Sequence, residues 1–207
     1  MIKDLFTRYP ALFQIAEDIE SALKEIILCY ENGGKLLLCG NGGSAADCEH
    51  IAGELMKGFL KKRPVSDKMR AEMKSASSHL EDDIISRLQC GLPAISLPSM
   101  TALCTACIND IDPELVYSQP LMALGNKGDI LLAISTSGNS ENICNAAKVA
   151  KALGLKVIGL TGASGGKLKN IADICICVPE EETYKVQELH MPVYHYICAE
   201  TETHFFG

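Results

Sequence analysis

Short unbroken apolar runs alternate along the chain with longer segments whose apolar residues recur every three or four positions. The runs at 35–39, 93–97, 129–134, 156–160 and 174–178 have strand length. Their lack of polar alternation predicts parallel strands covered on both faces. In residues 1–33, Leu12, Ile15, Ile19, Leu23, Ile26 and Ile27 form one helical stripe, broken earlier at Tyr9-Pro10, where proline disfavours helix before it. Glu31-Asn32-Gly33-Gly34 stops that helix. Ile143, Ala146, Ala147, Val149, Ala150 and Leu153 mark another helix, and residues 101–108, 167–172 and 182–204 also read as helical. Strand–helix alternation of this kind predicts a three-layer α/β/α sandwich around a five-stranded parallel sheet. At 207 residues the chain suits a single domain with a sizeable core.

Residues 65–90 are rich in charge and methionine, with helical spacing in Met69, Met73, Leu80, Ile84 and Leu88; they predict an inserted helix pair or a lid. The basic run Lys61-Lys62-Arg63-Pro64 before them reads as a solvated helix end, and His79 as a surface residue.

Two strand–loop–helix units carry candidate chemistry. The first is Leu36-Leu37-Leu38-Cys39 followed by Gly40-Asn41-Gly42-Gly43-Ser44-Ala45-Ala46-Asp47. Its glycines permit close backbone approach, and Ser44 is the predicted N-cap. Free N–H groups and the positive end of the helix dipole then suit an anion. His50 and Glu54, four residues apart, share one face of that helix. The second unit runs from strand 129–134 into Ser135-Thr136-Ser137-Gly138-Asn139-Ser140, whose hydroxyls can donate to phosphate oxygens. No nucleotide-triphosphate loop motif is present, so no nucleotide cofactor is expected.

Composition narrows the field. A net charge of −7, 5% aromatic residues and no tryptophan argue against a nucleic-acid surface. No apolar run approaches the ~18 residues of a membrane span, and the N-terminus lacks a secretory apolar core, so a cytoplasmic location is expected. The ten cysteines sit mostly in apolar company and read as reduced core residues; the lone Cys104-Thr105-Ala106-Cys107 lacks a second ligand pair for structural zinc.

The Gly40–Ser44 loop with His50 and Glu54, together with the Ser135–Ser140 loop, resembles the sugar isomerase (SIS) domain, and within it the phosphoheptose isomerases. The resemblance covers nearly the whole chain apart from about 65–90. It implies a flavodoxin-like strand order 2-1-3-4-5, with a crevice at the carboxyl ends of strands 1 and 3, where both polar loops fall. It also implies isomerisation of sedoheptulose 7-phosphate to D-glycero-D-manno-heptose 7-phosphate through an enediol, in a homotetramer to which the N-terminal helix contributes.

Carried over by position, Glu54 becomes the base and His195 its acid/base partner. Asn41, Gly42, Gly43, Asn109, Asp110 and Gln187 would hold the sugar, and Ser135, Thr136, Ser137 and Ser140 the phosphate. Some relatives bind zinc through residues matching His50, Glu54, Gln187 and His195; an amide among the ligands implies a labile site. Gln187 and His195 are eight apart, about 80° around a helix. Pro192 between them predicts a kink that would affect the aim of His195, and His190 reads as a hydrogen-bonded helix histidine.

The second reading is a non-catalytic SIS protein that binds a partner, resembling the DnaA-binding initiator-associating proteins around residues 103–110 and 114–117. Members of that group tend to lack the catalytic carboxylate and second histidine, whereas this chain has Glu54 and His195.

Overall fold

The computed structural model describes residues 2–207. Helix α1 (Ile2–Arg8) leads through a 3-10 turn (Pro10–Ile15) into α2 (Ala16–Glu31), so the break expected at Tyr9-Pro10 is a tight turn rather than a simple kink. Leu12, Ile15, Ile19, Leu23 and Ile26 are buried, as their spacing required. The strands are β1 (Leu36–Gly40), β2 (Ala94–Ser96), β3 (Ile130–Ser135), β4 (Lys156–Thr161) and β5 (Ile174–Cys177). They pair in parallel in the order β2-β1-β3-β4-β5.

Successive strand residues point to opposite faces, which divides the core in two. Leu36, Leu38, Ile130, Leu132 and Ile134 pack with α2, α3 (Gly43–Met56) and α9 (Thr183–Phe206). Leu37, Cys39, Leu131 and Ala133 pack with α7 (Ser118–Leu124) and α8 (Glu141–Ala152). Helix α6 (Thr101–Asp110) runs beside the crevice between β1 and β3. Among the described residues no helix is long and apolar enough to cross a membrane.

The 61–90 region departs from expectation at two points. Arg63, read as part of a solvated helix end, is fully buried. Its guanidinium donates to the Leu55 and Glu54 carbonyl oxygens at 2.6 and 3.0 Å, two of the orphan acceptors at the end of α3, and to Glu202 Oε1 at 2.9 Å. Glu202, on α9, also accepts from the backbone N–H groups of Phe59, Leu60 and Lys61. A guanidinium with an internal carboxylate partner need not stay in water, which the local charge run could not reveal. Residues 65–90 form two short helices, α4 (Asp67–Ala76) and α5 (Asp82–Arg87), but the buried residue is Ile85, while Met69, Ile84 and Leu88 are exposed. His79 is exposed, as expected.

Pro192 does not interrupt α9, which continues for 24 residues. The hydrogen bond it removes would have gone to the carbonyl of Glu188, an exposed residue.

Candidate active site

Helix α3 begins one residue before the predicted cap. Gly42, at φ 55°, is the N-cap, and Ser44 is buried within the first turn, with no side-chain cap bond at this helix. A glycine is required at position 42 because a side chain is strained at that backbone angle. Gly43 lets Gln187 approach: a Cβ there would lie 2.4 Å from Nε2 of Gln187, whose amide reaches across from α9 and would have to swing aside. Gln187 is thus seated over the glycine loop, joining the C-terminal helix to the start of α3.

Farther along α3, Asp47, His50 and Glu54 follow the i, i+3, i+7 spacing of one helix face. His50 Nε2 lies 3.3 Å from Glu54 Oε1 and 3.3 Å from His195 Nε2 on α9. The two imidazoles meet edge to face, with centroids 4.9 Å apart. Phe59 lies tilted against the His195 ring at 5.5 Å. Burial, followed by the nearby charge of His50, lowers the pKa of His195, which favours the neutral, proton-accepting form. Glu54 Oε2 is buried without a hydrogen-bond partner, and Lys57 Nζ stands 3.6 Å away.

Tyr194 stands behind His50. Its hydroxyl donates to Asp47 Oδ1 at 3.2 Å and lies 3.1 Å from His50 Nδ1. Burial raises the pKa of Asp47 against the opposing bond from Tyr194. Neither Tyr194 nor Asp47 was picked out by sequence as part of a site. The available signal was spacing: Tyr194 follows Gln187 by seven, two helical turns on the same face.

At the carboxyl ends of β1 and β3, Asn41 and Ser140 line a crevice of about 610 Å³ with Tyr117, Glu114, Glu141 and Asn142. Asn41 and Asn142 exchange two amide hydrogen bonds, at 2.9 and 3.0 Å, and Tyr117 donates to the Gly40 carbonyl at 2.8 Å. Sequence reasoning missed Asn142 and Tyr117; Asn142 stands two residues after the hydroxyl-rich loop.

In that loop Ser135 Oγ lies 3.2 Å from Ser140 Oγ, and Ser137 Oγ accepts from the Asn139 N–H at 3.1 Å. Ser140 is the N-cap residue of α8 and makes no side-chain cap bond; in the first turn the Ile143 N–H donates instead to Asn142 Oδ1 at 2.9 Å. Thr136 is half-buried and Ser137 exposed. Asn109 and Asp110, at the end of α6, are both exposed, with Asn109 donating to Asp110 at 2.7 Å; among the described residues no hydrogen bond joins them to the His50–Glu54–His195 cluster.

His190 is fully buried, and among the described residues neither ring nitrogen meets a partner at regular hydrogen-bond geometry, the Thr161 backbone offering only a loose one. Burial, only weakly opposed by the Thr161 backbone, pushes its pKa down to about 4.

Among the described residues, no group of three or more His, Cys, Asp or Glu side chains is arranged for metal binding as it stands. The donor chemistry nevertheless fits zinc. Two imidazole nitrogens and a carboxylate are its common ligands, and a tetrahedral zinc with Zn–N bonds near ~2.05 Å separates neighbouring ligand atoms by about 3.3 Å. The His50–His195 and His50–Glu54 separations have that length, and the unpartnered Glu54 Oε2 remains available.

Comparison with known proteins gives a consistent family. The SIS domain model matches residues 10–89 and 83–162. A phosphoheptose isomerase from Aneurinibacillus thermoaerophilus is 41% identical over 188 residues, covering 91% of this chain and 82% of the relative. One from Helicobacter pylori (strain P12) is 38% identical over 207 residues, covering 98% and 94%. The solved phosphoheptose isomerase from Neisseria gonorrhoeae superposes with a TM-score of 0.76 at 32% identity, covering 98% of this chain and 95% of that one.

Proposed function

Since this chain belongs to the SIS-domain family and, within it, to the phosphoheptose isomerases, we propose that it converts sedoheptulose 7-phosphate to D-glycero-D-manno-heptose 7-phosphate, with the residues around His50 as its reaction centre. It is an aldose–ketose isomerase. The observation that carries the assignment of roles is the meeting of Glu54, His50 and His195 at 3.3 Å separations, beside a glycine loop capped by Gln187.

Glu54 takes a proton from C1 of the ketose while His195 protonates the C2 oxygen, giving the enediol. The enediol then loses its C1 hydroxyl proton to His195 as Glu54 returns its proton to C2, leaving the aldose. His195 enters this sequence protonated and is neutral after its first transfer, and taking the C1 hydroxyl proton is the step that its lowered pKa favours. Ser135, Thr136, Ser137 and Ser140, with the N-terminus of α8, hold the phosphate. Asn41, Gly42, Gly43, Asn109, Asp110 and Gln187 hold the sugar. His50, Glu54, Gln187 and His195 would hold zinc, which would polarise the carbonyl, and ligation of Glu54 would compete with its role as base.

The working form is a cytoplasmic homotetramer of single-domain chains, with residues 65–90 as an insertion. Exposed Phe13 and Leu60 (70% and 61%) support assembly, as does a cavity of about 560 Å³ in which His195 adjoins Arg8, Tyr9 and Phe59. The ten cysteines, mostly in apolar company, suit a reducing compartment.

The test is incubation of purified protein with a panel of ketose phosphates, scored for aldose product with and without a chelator. Conversion of the seven-carbon ketose phosphate ahead of the others is expected. No turnover of any sugar phosphate, with zinc supplied, would leave the partner-binding reading in its place.

A further inference from the structure

The contacts behind His50 fix where its proton sits. Tyr194 has one hydroxyl proton, and two groups meet its oxygen: Asp47 Oδ1 at 3.2 Å and His50 Nδ1 at 3.1 Å. Ionised, the Asp47 carboxylate can only accept, so the phenol proton goes to it, and Nδ1 must be the nitrogen that donates to the phenol oxygen. Neutral His50 is then the Nδ1–H tautomer, and its Nε2 lone pair opens toward His195 and the space beside Glu54, each 3.3 Å away.

The arrangement is held firmly. Tyr194 is buried, with its ring edge-to-face against both His50 and His195 at 5.4 and 5.0 Å. Asp47 keeps its other oxygen, Oδ2, buried with no hydrogen-bond partner. Leaving a carboxylate oxygen unsatisfied is costly, and among the described residues the one hydrogen bond to the Asp47 side chain comes from Tyr194.

We propose that Asp47 and Tyr194 are positioning residues that hold His50 as the Nδ1–H tautomer and so keep its Nε2 an open acceptor for the cation bound between α3 and α9. A carboxylate that fixes a metal-ligating histidine from behind normally does so directly; here a phenol stands between them. This rests on the zinc reading given above only for the identity of the cation.

The test uses the full chain in two variants, Asp47→Asn and Tyr194→Phe, each stripped of metal and labelled for long-range proton–nitrogen NMR of the imidazoles. The wild type should show His50 protonated at Nδ1. In Asp47→Asn the new amide can donate to the phenol oxygen, freeing the phenol proton for Nδ1 and moving the ring proton to Nε2. Tyr194→Phe removes the acceptor altogether and should also favour Nε2–H. Zinc affinity, measured by competition with a chromophoric chelator, should weaken ~10- to 100-fold in both variants, as for other losses behind a ligating histidine.

A wild-type His50 protonated at Nε2, or Nδ1–H persisting in both variants, would overturn the proposal. So would zinc affinity within about twofold of wild type in both. A tautomer that switches in the variants of a wild type that takes up no zinc would sustain the positioning role and remove zinc from the proposed function.

Discussion

His50 and His195 stand 145 positions apart in the chain, yet their Nε2 atoms lie 3.3 Å from one another. Each comes from a helix on the same face of the sheet, and Glu54 is one turn beyond His50 on the first of them. A carboxylate and two imidazoles therefore share one small volume, with Phe59 over the His195 ring.

Replacement of Glu54 tests the base. Glu54→Gln keeps the shape but cannot accept the C1 proton, so turnover should fall by at least ~10²-fold, the scale of a lost general base. His195→Asn should behave similarly. Product formation and far-ultraviolet circular dichroism would be measured together; a wild-type rate in Glu54→Gln removes Glu54 from catalysis.

The phosphate loop can be tested one hydroxyl at a time. Ser135→Ala and Ser137→Ala should each weaken sugar-phosphate binding by roughly 1.5–3 kcal/mol, the contribution of a donor to a charged group. Calorimetric titration with a non-reacting sugar phosphate reads the loss directly. Unchanged affinity in both variants would place the phosphate elsewhere.

Arg63 and Glu202 form a buried ion pair that closes the turn after α3. Arg63→Met leaves a buried carboxylate without its charge partner and should cost about 3–5 kcal/mol in urea unfolding. The double variant Arg63→Met/Glu202→Gln should recover part of this loss, since no net charge then remains buried. For Glu202, burial alone would raise the pKa, but the N–H groups of Phe59 and Leu60, with Arg63, outweigh it and lower the pKa. Its contribution is therefore fully present above the ordinary carboxylate range and is lost as pH falls through the lowered value.

His190 predicts a second pH effect with its own window. Its pKa, about 4 when folded against the ordinary histidine value of 6.5, means that the unfolded chain binds more protons between those values. Stability should thus decline as pH falls from 6.5 towards 4, by on the order of 3 kcal/mol from this residue. His190→Leu should flatten that part of the pH profile in urea unfolding. An unchanged slope would mean that His190 is hydrated or protonated in the folded protein.

Sequence by itself determined the sheet and the places where chemistry could occur. Unbroken apolar runs such as Leu36-Leu37-Leu38-Cys39 can be strands only if both faces are covered, and their alternation with helical spacing leaves few topologies. The anion-suited loops at Gly40–Ser44 and Ser135–Ser140 and the His50/Glu54 pair are local patterns, readable from spacing alone. Tertiary structure decided what depends on partners distant in the chain. Arg63 looks solvated until Glu202 is seen to meet it, and Ile85 rather than Ile84 turns inward because the short α5 takes its orientation from what it packs against. Asp47, Tyr194 and Asn142 carry no motif, since a hydrogen bond between two helices or two loops leaves no periodicity in either segment. The aim of His195 past Pro192 was likewise set by α9 packing on α3, because a helix supported along its length tolerates the loss of one backbone bond.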